Sequence, residues 1–251
     1  MRFRFDQTEI AVTHPDRAGL MAAVAARLGA GQGFALATIN LDHLVKLRRD
    51  TAFRHAYATQ DMVVADGNPI VWLSRLAGRP VALVPGSDLV VPLVQAAMTA
   101  ARPVVLVGAT DAVLAAAAAD LADRVPGTTF GPRIAPPMGF DPEGEGARAL
   151  LAQVAAVGPC LCLLALGAPR QERLAALGRR EAPQAGFASV GAGLDFLAGS
   201  QTRAPAWMRR LALEWLWRMM SSPIRLAPRY AACAAILPGE VAAALRLRAT
   251  S

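Results

Sequence analysis

Short runs of consecutive apolar residues constrain the fold of this 251-residue chain more than any other feature. Each run ends in a glycine or polar turn and is followed by a segment whose apolar residues have helical spacing. Apolar strands without alternation, separated by helices, are typical of a parallel sheet covered on both faces. The sequence therefore predicts an α/β fold with a doubly wound, mostly parallel, Rossmann-like sheet. The clearest runs are residues 34–39, 62–65, 103–107, 160–166 and 187–190.

Weaker patterns complete the prediction. Three further segments have strand character, at residues 9–13, 80–84 and 128–134. Asp16 and Asp111 precede apolar-periodic segments and are predicted to cap helices, because an aspartate oxygen accepts from the first free backbone N–H groups. The predicted helices cover residues 16–29, 41–58, 67–76, 86–101, 111–125, 143–157 and 170–177.

The pattern changes after residue 200. Four apolar residues recur every fourth position and form one stripe on a predicted helix that ends at Pro223: they are Trp207, Leu211, Trp215 and Met219. Eight arginines and two glutamates follow Gln201, so +6 of the net charge of +7 lies in this last fifth. The sequence thus predicts an α/β body over residues 1–200 and a basic helical appendage over residues 201–251. Such a stripe fits an anionic membrane surface, a partner groove or self-association into a homo-oligomer, and packing on the body is equally open.

Several classes of protein are disfavoured by what the sequence lacks. The three cysteines have no Cys-x-x-Cys spacing, which argues against a disulfide framework or a zinc site. We find no signal peptide at the start and no run of the ~18–20 apolar residues that a membrane span needs, so a cytoplasmic location is expected. Dinucleotide, Walker A and nucleophile-elbow motifs are absent, as is an Asp-x-Asp pair at a strand end. No metal site and no cofactor are predicted.

Two strand-end stretches carry candidate chemistry. An acid follows an apolar run in Asp66-Gly67-Asn68-Pro69, where α/β proteins place reactive side chains, although the same residues are common in ordinary turns. Gln171 and Glu172 stand at a helix start, where they offer an amide and a carboxylate or simply begin an exposed helix. Glycine turns after strands can present N–H groups to a phosphate, but such turns also occur in every doubly wound protein. In this chain they contain Gly67, Gly86, Gly108, Gly167 and Gly191.

Taken together, nine motifs in order resemble the WecG/TagA/CpsF family of bacterial glycosyltransferases. They span most of the chain, from Thr38 to Tyr230. The motifs are Thr38-Ile-Asn40; Asp66-Gly67-Asn68-Pro69; Gly86-Ser-Asp88-Leu89; Gly108; Gly167-Ala-Pro169-Arg-Gln171-Glu172; Gly191-Ala-Gly193-Leu-Asp195 with Gly199; Arg203-Ala-Pro205-x-Trp207; Glu214-Trp215-x-x-Arg218; and Pro223-x-Arg225 with Arg229-Tyr230.

The resemblance implies transfer of a hexose or N-acetylhexosamine, of the N-acetylmannosamine or glucose type, from a UDP-sugar to a lipid-diphosphate-linked saccharide. Inversion at the anomeric carbon, no metal requirement, a role in surface polysaccharide synthesis and a place on the inner face of the cytoplasmic membrane follow from the same resemblance. It makes Asp66 the general base. The other implied contacts are with substrate (Thr38, Asn40, Gly67, Asn68, Gly86, Asp88, Gly108, Gly167, Gln171, Glu172, Gly191, Asp195) and with the diphosphate (Arg203, Arg218, Arg225, Arg229).

One position departs from the family pattern. Members often carry an arginine three residues before the glycine of the Gly-x-Asp-Leu motif, and here that residue is Leu83. Arg79 is the nearest arginine that could replace it. Two alternatives from other classes are kept: a nucleotide-dependent oxidoreductase on a Rossmann-like sheet, and a non-catalytic nucleotide-binding module whose basic tail contacts nucleic acid or a partner protein. Nucleic acid is not the partner expected of the transferase.

Overall fold

A computed structural model describes residues 1–108 and 110–249, without the side chains of Ala206, Arg210 and Arg225. Its centre is a six-stranded sheet with the order β4-β3-β8-β7-β5-β6, in which every pairing is parallel. This confirms the predicted α/β fold. The strands of this sheet are β3 (Phe34–Ile39), β4 (Met62–Ala65), β5 (Val104–Gly108), β6 (Phe130–Ile134), β7 (Leu161–Ala165) and β8 (Gly186–Ser189).

Helices cover both faces of the sheet, as continuous apolar strands require. Helices α1, α5, α6 and α9 bury one face, whereas α2, α3, α7 and α8 bury the other. The helices are α1 (Arg17–Gly29), α2 (Leu41–Arg49), α3 (Thr51–Ala58), α4 (Asn68–Leu76), α5 (Gly86–Thr99), α6 (Asp111–Arg124), α7 (Glu145–Val157), α8 (Arg170–Glu181), α9 (Gly193–Leu197), α10 (Ala206–Arg210), α11 (Glu214–Ser221) and α12 (Pro223–Ala249).

An N-terminal hairpin extends the predicted strand at residues 9–13. Strands β1 (Arg2–Phe5) and β2 (Thr8–Ala11) pair antiparallel, and Phe3 and Phe5 enter the core. The alternation of arginine and phenylalanine in β1 is the period-2 signal of a half-buried strand.

Local chemistry also corrects three predicted helices. Residues 41–58 form two helices rather than one, because the Asp50 side chain accepts from the Phe53 N–H at 2.9 Å and starts α3. Thr110, not Asp111, caps α6. The predicted helix that carries the tryptophan stripe is divided into α10 and α11 at Ala212, whose φ of 60° is left-handed.

Residues 80–84 do not form the predicted strand. Pro80 and Pro85 bracket the segment, and proline cannot donate to a ladder. The free N–H groups bond outside any strand pairing: Ala82 to the Pro15 carbonyl and Val84 to the Ala65 carbonyl. The segment therefore closes over the end of β4 as an extended connection into α5.

The long helix α12 packs on the body, against α2 and α4. Ala244 is buried there, and Glu240 pairs with Arg48 at 2.7 Å. By length and composition alone, its segment Leu226–Ala249 could cross a membrane, although Arg229 and Glu240 interrupt its apolar residues. The stripe, by contrast, is largely uncovered, since Trp207 is 60% exposed and Leu211 63%.

Close packing between β3 and β8 generates the first testable prediction. A Cβ at Gly186 would lie 2.4 Å from the ring of the fully buried Phe34. We expect Gly186→Ala to lower the free energy of unfolding by about 1–3 kcal/mol through overpacking, measured by urea denaturation. Gly29→Ala is the matched control, because nothing lies within 4 Å of its Cβ position. Equal stability of both variants would contradict the packing argument.

Candidate functional site

Asp66 lies at the carboxyl end of β4, where backbone and side-chain contacts fix it. Its N–H donates to the Ile39 carbonyl at 2.7 Å, which ties it to the neighbouring end of β3. Its carboxylate accepts from the Thr38 hydroxyl at 3.4 Å and from the backbone N–H of Gly86. Three segments distant in sequence thus converge on one half-buried carboxylate.

Glycine at position 86 allows this convergence. A Cβ there would lie 3.2 Å from the Thr38 hydroxyl oxygen and 3.4 Å from the Val190 carbonyl. A side chain there would therefore require Thr38 or the start of α5 to shift by a few tenths of an ångström. The positive end of the α5 dipole also favours an anion at this place. Gly67, next to Asp66, has a φ of 109° that favours glycine, and it turns the chain into α4.

The surroundings of Asp66 raise the pKa of its carboxyl to about 6. Burial is the largest cause, and the nearby carboxylate of Glu214 raises the pKa further. The positive charge of Arg218 and the hydrogen bonds from Thr38 and Gly86 act in the opposite direction. A carboxylate with a pKa close to neutrality can take up a proton in the physiological range, as a general base must.

The appendage supplies the charges around this carboxylate. Glu214 and Arg218 are one helical turn apart on α11, so they share a face. Arg203, just before α10, pairs with Asp88 in the first turn of α5 at 2.5 Å. Burial lowers the pKa of Arg203, but Asp88, Glu214 and Asp66 raise it by more, so the guanidinium stays charged. The structure thus brings Arg203 and Arg218 into the field of Asp66.

A second buried group lies at the ends of β7 and β8. Gln171 Nε2 donates to Glu172 Oε1 at 2.8 Å, while Gln171 Oε1 accepts from the Gly191 N–H at 3.2 Å. Both side chains are buried, and burial is the main reason that the pKa of Glu172 rises to about 7. Glu172 therefore fixes the orientation of the Gln171 amide, and Gln171 in turn fixes the turn at Gly191.

Asn40 lies beside Gly67 and caps α2. Its Oδ1 accepts from the His43 N–H at 3.0 Å, and its Cβ is 3.7 Å from the Cβ position of Gly67. His43 itself is buried, and burial lowers its pKa to about 3, so the imidazole is neutral. It contacts the Tyr57 hydroxyl at 3.2 Å, which makes it a core residue.

Three other predicted residues are held by contacts of their own. Gly108 ends β5, and β3, β8 and β7 separate that strand from β4. A Cβ at Gly108 would lie 2.5 Å from the Ala165 carbonyl, so strand packing already requires glycine there. Asp195 accepts from the Ser200 hydroxyl in a local turn. Arg229 pairs with Asp42 at 2.9 Å, on the α2 side of the site.

The remaining predicted residues are placed as follows. Asn68 is the first residue of α4, and Gly167 follows β7 with a φ of 70°. The side chain of Arg225 lies outside the described residues. Arg79 follows the far end of α4, roughly 13 Å along the helix from Asn68. The pKa of the N-terminal amine is lowered mainly by burial and, to a smaller extent, by the charge of Arg79. Replacement of the missing arginine by Arg79 stays a prediction. The substrate roles of all these residues stay predictions.

Sequence reasoning did not single out Glu214 as a site residue. Its position four residues before Arg218 was the available signal, because that spacing puts both charges on one helix face. Within residues 1–108 and 110–249, no group of three or more His, Cys, Asp or Glu side chains could hold a metal ion.

Sequence comparison with known proteins identifies relatives of the chain. Two bacterial proteins, both named N-acetylglucosaminyldiphosphoundecaprenol N-acetyl-beta-D-mannosaminyltransferase, are each 28% identical to the chain. The protein from Bacillus subtilis (strain 168) aligns over 77% of this chain and 73% of its own length. The one from Bacillus spizizenii aligns over 79% and 75%. The sequence model of the glycosyl transferase WecG/TagA/CpsF family matches residues 5–250, and the chain therefore belongs to that family.

Proposed function

We propose that this glycosyltransferase moves a hexose or N-acetylhexosamine from a UDP-sugar to a lipid-diphosphate-linked saccharide, with inversion, during synthesis of a surface polysaccharide. The observation that carries the proposal is Asp66, a carboxylate of near-neutral pKa held at the sheet edge beside Glu214 and Arg218. The names of the two relatives support N-acetylglucosamine on a lipid diphosphate as acceptor and N-acetylmannosamine as the transferred sugar. Family membership favours this reading over the oxidoreductase and the binding module.

In this mechanism Asp66 acts as the general base. Its carboxylate takes the proton from the acceptor hydroxyl while that oxygen forms a bond to the anomeric carbon of the donor sugar. The bond from the anomeric carbon to the diphosphate oxygen breaks, and UDP leaves with the electron pair. Because one displacement occurs, with attack opposite the leaving group, the anomeric configuration is inverted. Thr38 holds the carboxylate in place through its hydroxyl.

Fixed cations meet the charge that develops on UDP. Arg218 lowers the pKa of Asp66, and Asp66 is among the acids that raise the pKa of Arg203, so both cations belong to the surroundings of Asp66. Preorganised positive charge in a partly buried site stabilises a developing anion without a metal ion. We therefore assign the role of a divalent cation to these arginines and to the N-terminus of α5. Asn40 and Gln171 are assigned to hydroxyls of the sugars.

The exposed stripe accounts for how the enzyme reaches a lipid-linked acceptor. Trp207 and Leu211 face solvent together with Ile224, which is 94% exposed, and with Arg209. Apolar side chains beside arginines suit insertion into the boundary of an anionic leaflet, and each arginine near that surface contributes about 1 kcal/mol. The proposal is a peripheral enzyme on the inner face of the cytoplasmic membrane.

Replacement of the base gives two opposite effects. We expect Asp66→Asn to lower turnover by roughly 10²–10⁴-fold, measured as UDP release with a short alkyl-diphosphate N-acetylglucosamine acceptor. The folded-state pKa of about 6 exceeds the usual 3.8. Ionisation of Asp66 therefore lowers the free energy of unfolding progressively from about pH 4 to pH 6, and the full loss is present above pH 6. At pH 8 the variant should be more stable by about 1–3 kcal/mol, and this difference should vanish below pH 4. Full turnover by a folded Asp66→Asn protein would refute the assigned base.

Removal of the neighbouring carboxylate should shift the pH profile. In Glu214→Gln the negative charge that raises the pKa of Asp66 is lost, so we expect the acidic limb of kcat/KM to move to lower pH. Glu181→Gln is the control, since Glu181 is exposed at the C-terminal end of α8, whereas Gln171 and Glu172 lie at its N-terminal end. An unchanged acidic limb in Glu214→Gln would show that the two carboxylates are not coupled.

The stripe predicts a membrane phenotype that is separable from chemistry. Trp207→Ser combined with Leu211→Ser should reduce co-sedimentation with anionic vesicles at least tenfold, while turnover of a soluble short-chain acceptor is retained. Trp72→Ser is the control, because Trp72 is 50% exposed and belongs to α4 of the body rather than to the appendage. Unchanged vesicle binding by the double variant, or equal loss with the control, would contradict the assignment.

A further inference from the structure

A cleft of about 400 Å³ lies between α2, α12 and the turn after β7. Three of its lining side chains are cations, Lys46, Arg49 and Arg229, and two are acids, Asp42 and Asp50. Its volume is in the range of small-molecule sites. We propose that this cleft binds the diphosphate of the acceptor, as a subsite distinct from the one that holds the diphosphate of the donor. This inference rests on the proposed function.

The side chains that line the cleft carry a net positive charge, which favours an anion. Asp42 Oδ2 lies 2.7 Å from Lys46 Nζ and 2.9 Å from Arg229 Nη2, so one carboxylate serves two cations. Asp50 is already engaged as the acceptor that caps α3. Arg49 is exposed and, within residues 1–108 and 110–249, has no acidic side chain at ion-pair distance. Three cations against two acids leave the cleft positive, and arginine binds phosphate oxygens in pairs.

The cleft lies next to segments that carry two residues assigned to the sugars, Asn40 and Gln171. Helix α2 starts directly after Asn40 at the carboxyl edge of the sheet and carries Lys46 and Arg49 outward from it. Lys46 Nζ also donates to the Ala168 carbonyl at 3.0 Å, in the turn that leads to Gln171. On this proposal, an acceptor whose sugar hydroxyl reaches Asp66 extends past Asn40 and places its diphosphate in the cleft.

The apolar part of the lining distinguishes the acceptor from UDP. Val45, Pro169 and Ala232 form the apolar walls, and the described lining contains no aromatic ring on which a uracil could stack. A diphosphate joined to a hydrocarbon chain fits cations beside aliphatic side chains better than a nucleotide does. Arg229 and Ala232 belong to α12, so the docked appendage forms one wall of the cleft.

Kinetics with the two substrates varied separately test the subsite. Arg49 is exposed, so Arg49→Ala should fold normally, and Arg180→Ala is the matched control on α8. With N-acetylglucosamine linked through a diphosphate to a decyl chain, we expect the KM for this acceptor to rise about tenfold or more in Arg49→Ala. The KM for the UDP-sugar and all constants of Arg180→Ala should stay unchanged. An equal rise in the KM of the donor, or no change in either constant, would overturn the subsite.

A binding measurement separates failure of the subsite from failure of the proposed function. If no UDP-sugar supports turnover, titration calorimetry with the decyl-diphosphate saccharide still applies to the full chain. Binding by the parent protein that weakens about tenfold in Arg49→Ala, with UDP binding unchanged, supports the subsite regardless of the donor. Absence of binding by the parent, or equal binding by Arg49→Ala, rejects it.

Discussion

The parallel pairing of β3 with β4 is the constraint on which the site depends. Its register sets Thr38 opposite Val64 and Ile39 opposite Ala65, so that both strands end at the same level. A shift of one residue would turn Thr38 to the other face of the sheet and remove its hydroxyl from Asp66. The register is strongly specified because both strands are buried throughout, and every slipped alternative exchanges the residues that face the two helical layers.

The protein maintains two carboxyls in places where ionisation is unfavourable. Asp66 and Glu172 both have pKa values raised mainly by burial, yet their surroundings differ. Asp66 lies between opposite charges of the helical appendage, those of Glu214 and Arg218, whereas Glu172 is held within the body by Gln171. The first arrangement suits a group that exchanges protons with a substrate, and the second suits a group that only orients its neighbour.

Much of the body could be predicted from the sequence because its signals are local. The apolar runs that became β3, β4, β5, β7 and β8 bury both faces and show no alternation, and Asp16 caps α1 as expected. The break at Asp50 was equally local, but a capping aspartate inside an amphipathic run does not by itself reveal where a helix stops. Residues 80–84 have the composition of a strand, but their backbone bonds to Pro15 and Ala65, which are distant in sequence, and not to a neighbouring strand.

The site was predictable only in part, for a related reason. Asp66, Gly67 and Gly86 stand at strand ends and helix starts, which the alternation of elements locates. The approach of Glu214 to Asp66 depends on the path of α10 and α11, and the left-handed turn at Ala212 that sets this path has no glycine to mark it. Likewise, Arg229 and Asp42 are far apart in sequence, and they pair because α12 packs against α2.

The cleft residue Lys46 has a chemical consequence of its own. It is the only lysine of the chain, and the other 25 of the 26 lysine and arginine residues are arginines. Its amine is about one-third exposed and held between Asp42 and the Ala168 carbonyl. An amine-directed reagent therefore meets two primary amines, this one and the N-terminus. Covalent labelling could then place a spectroscopic reporter at the boundary between body and appendage, in addition to one at the N-terminus, without any engineered residue.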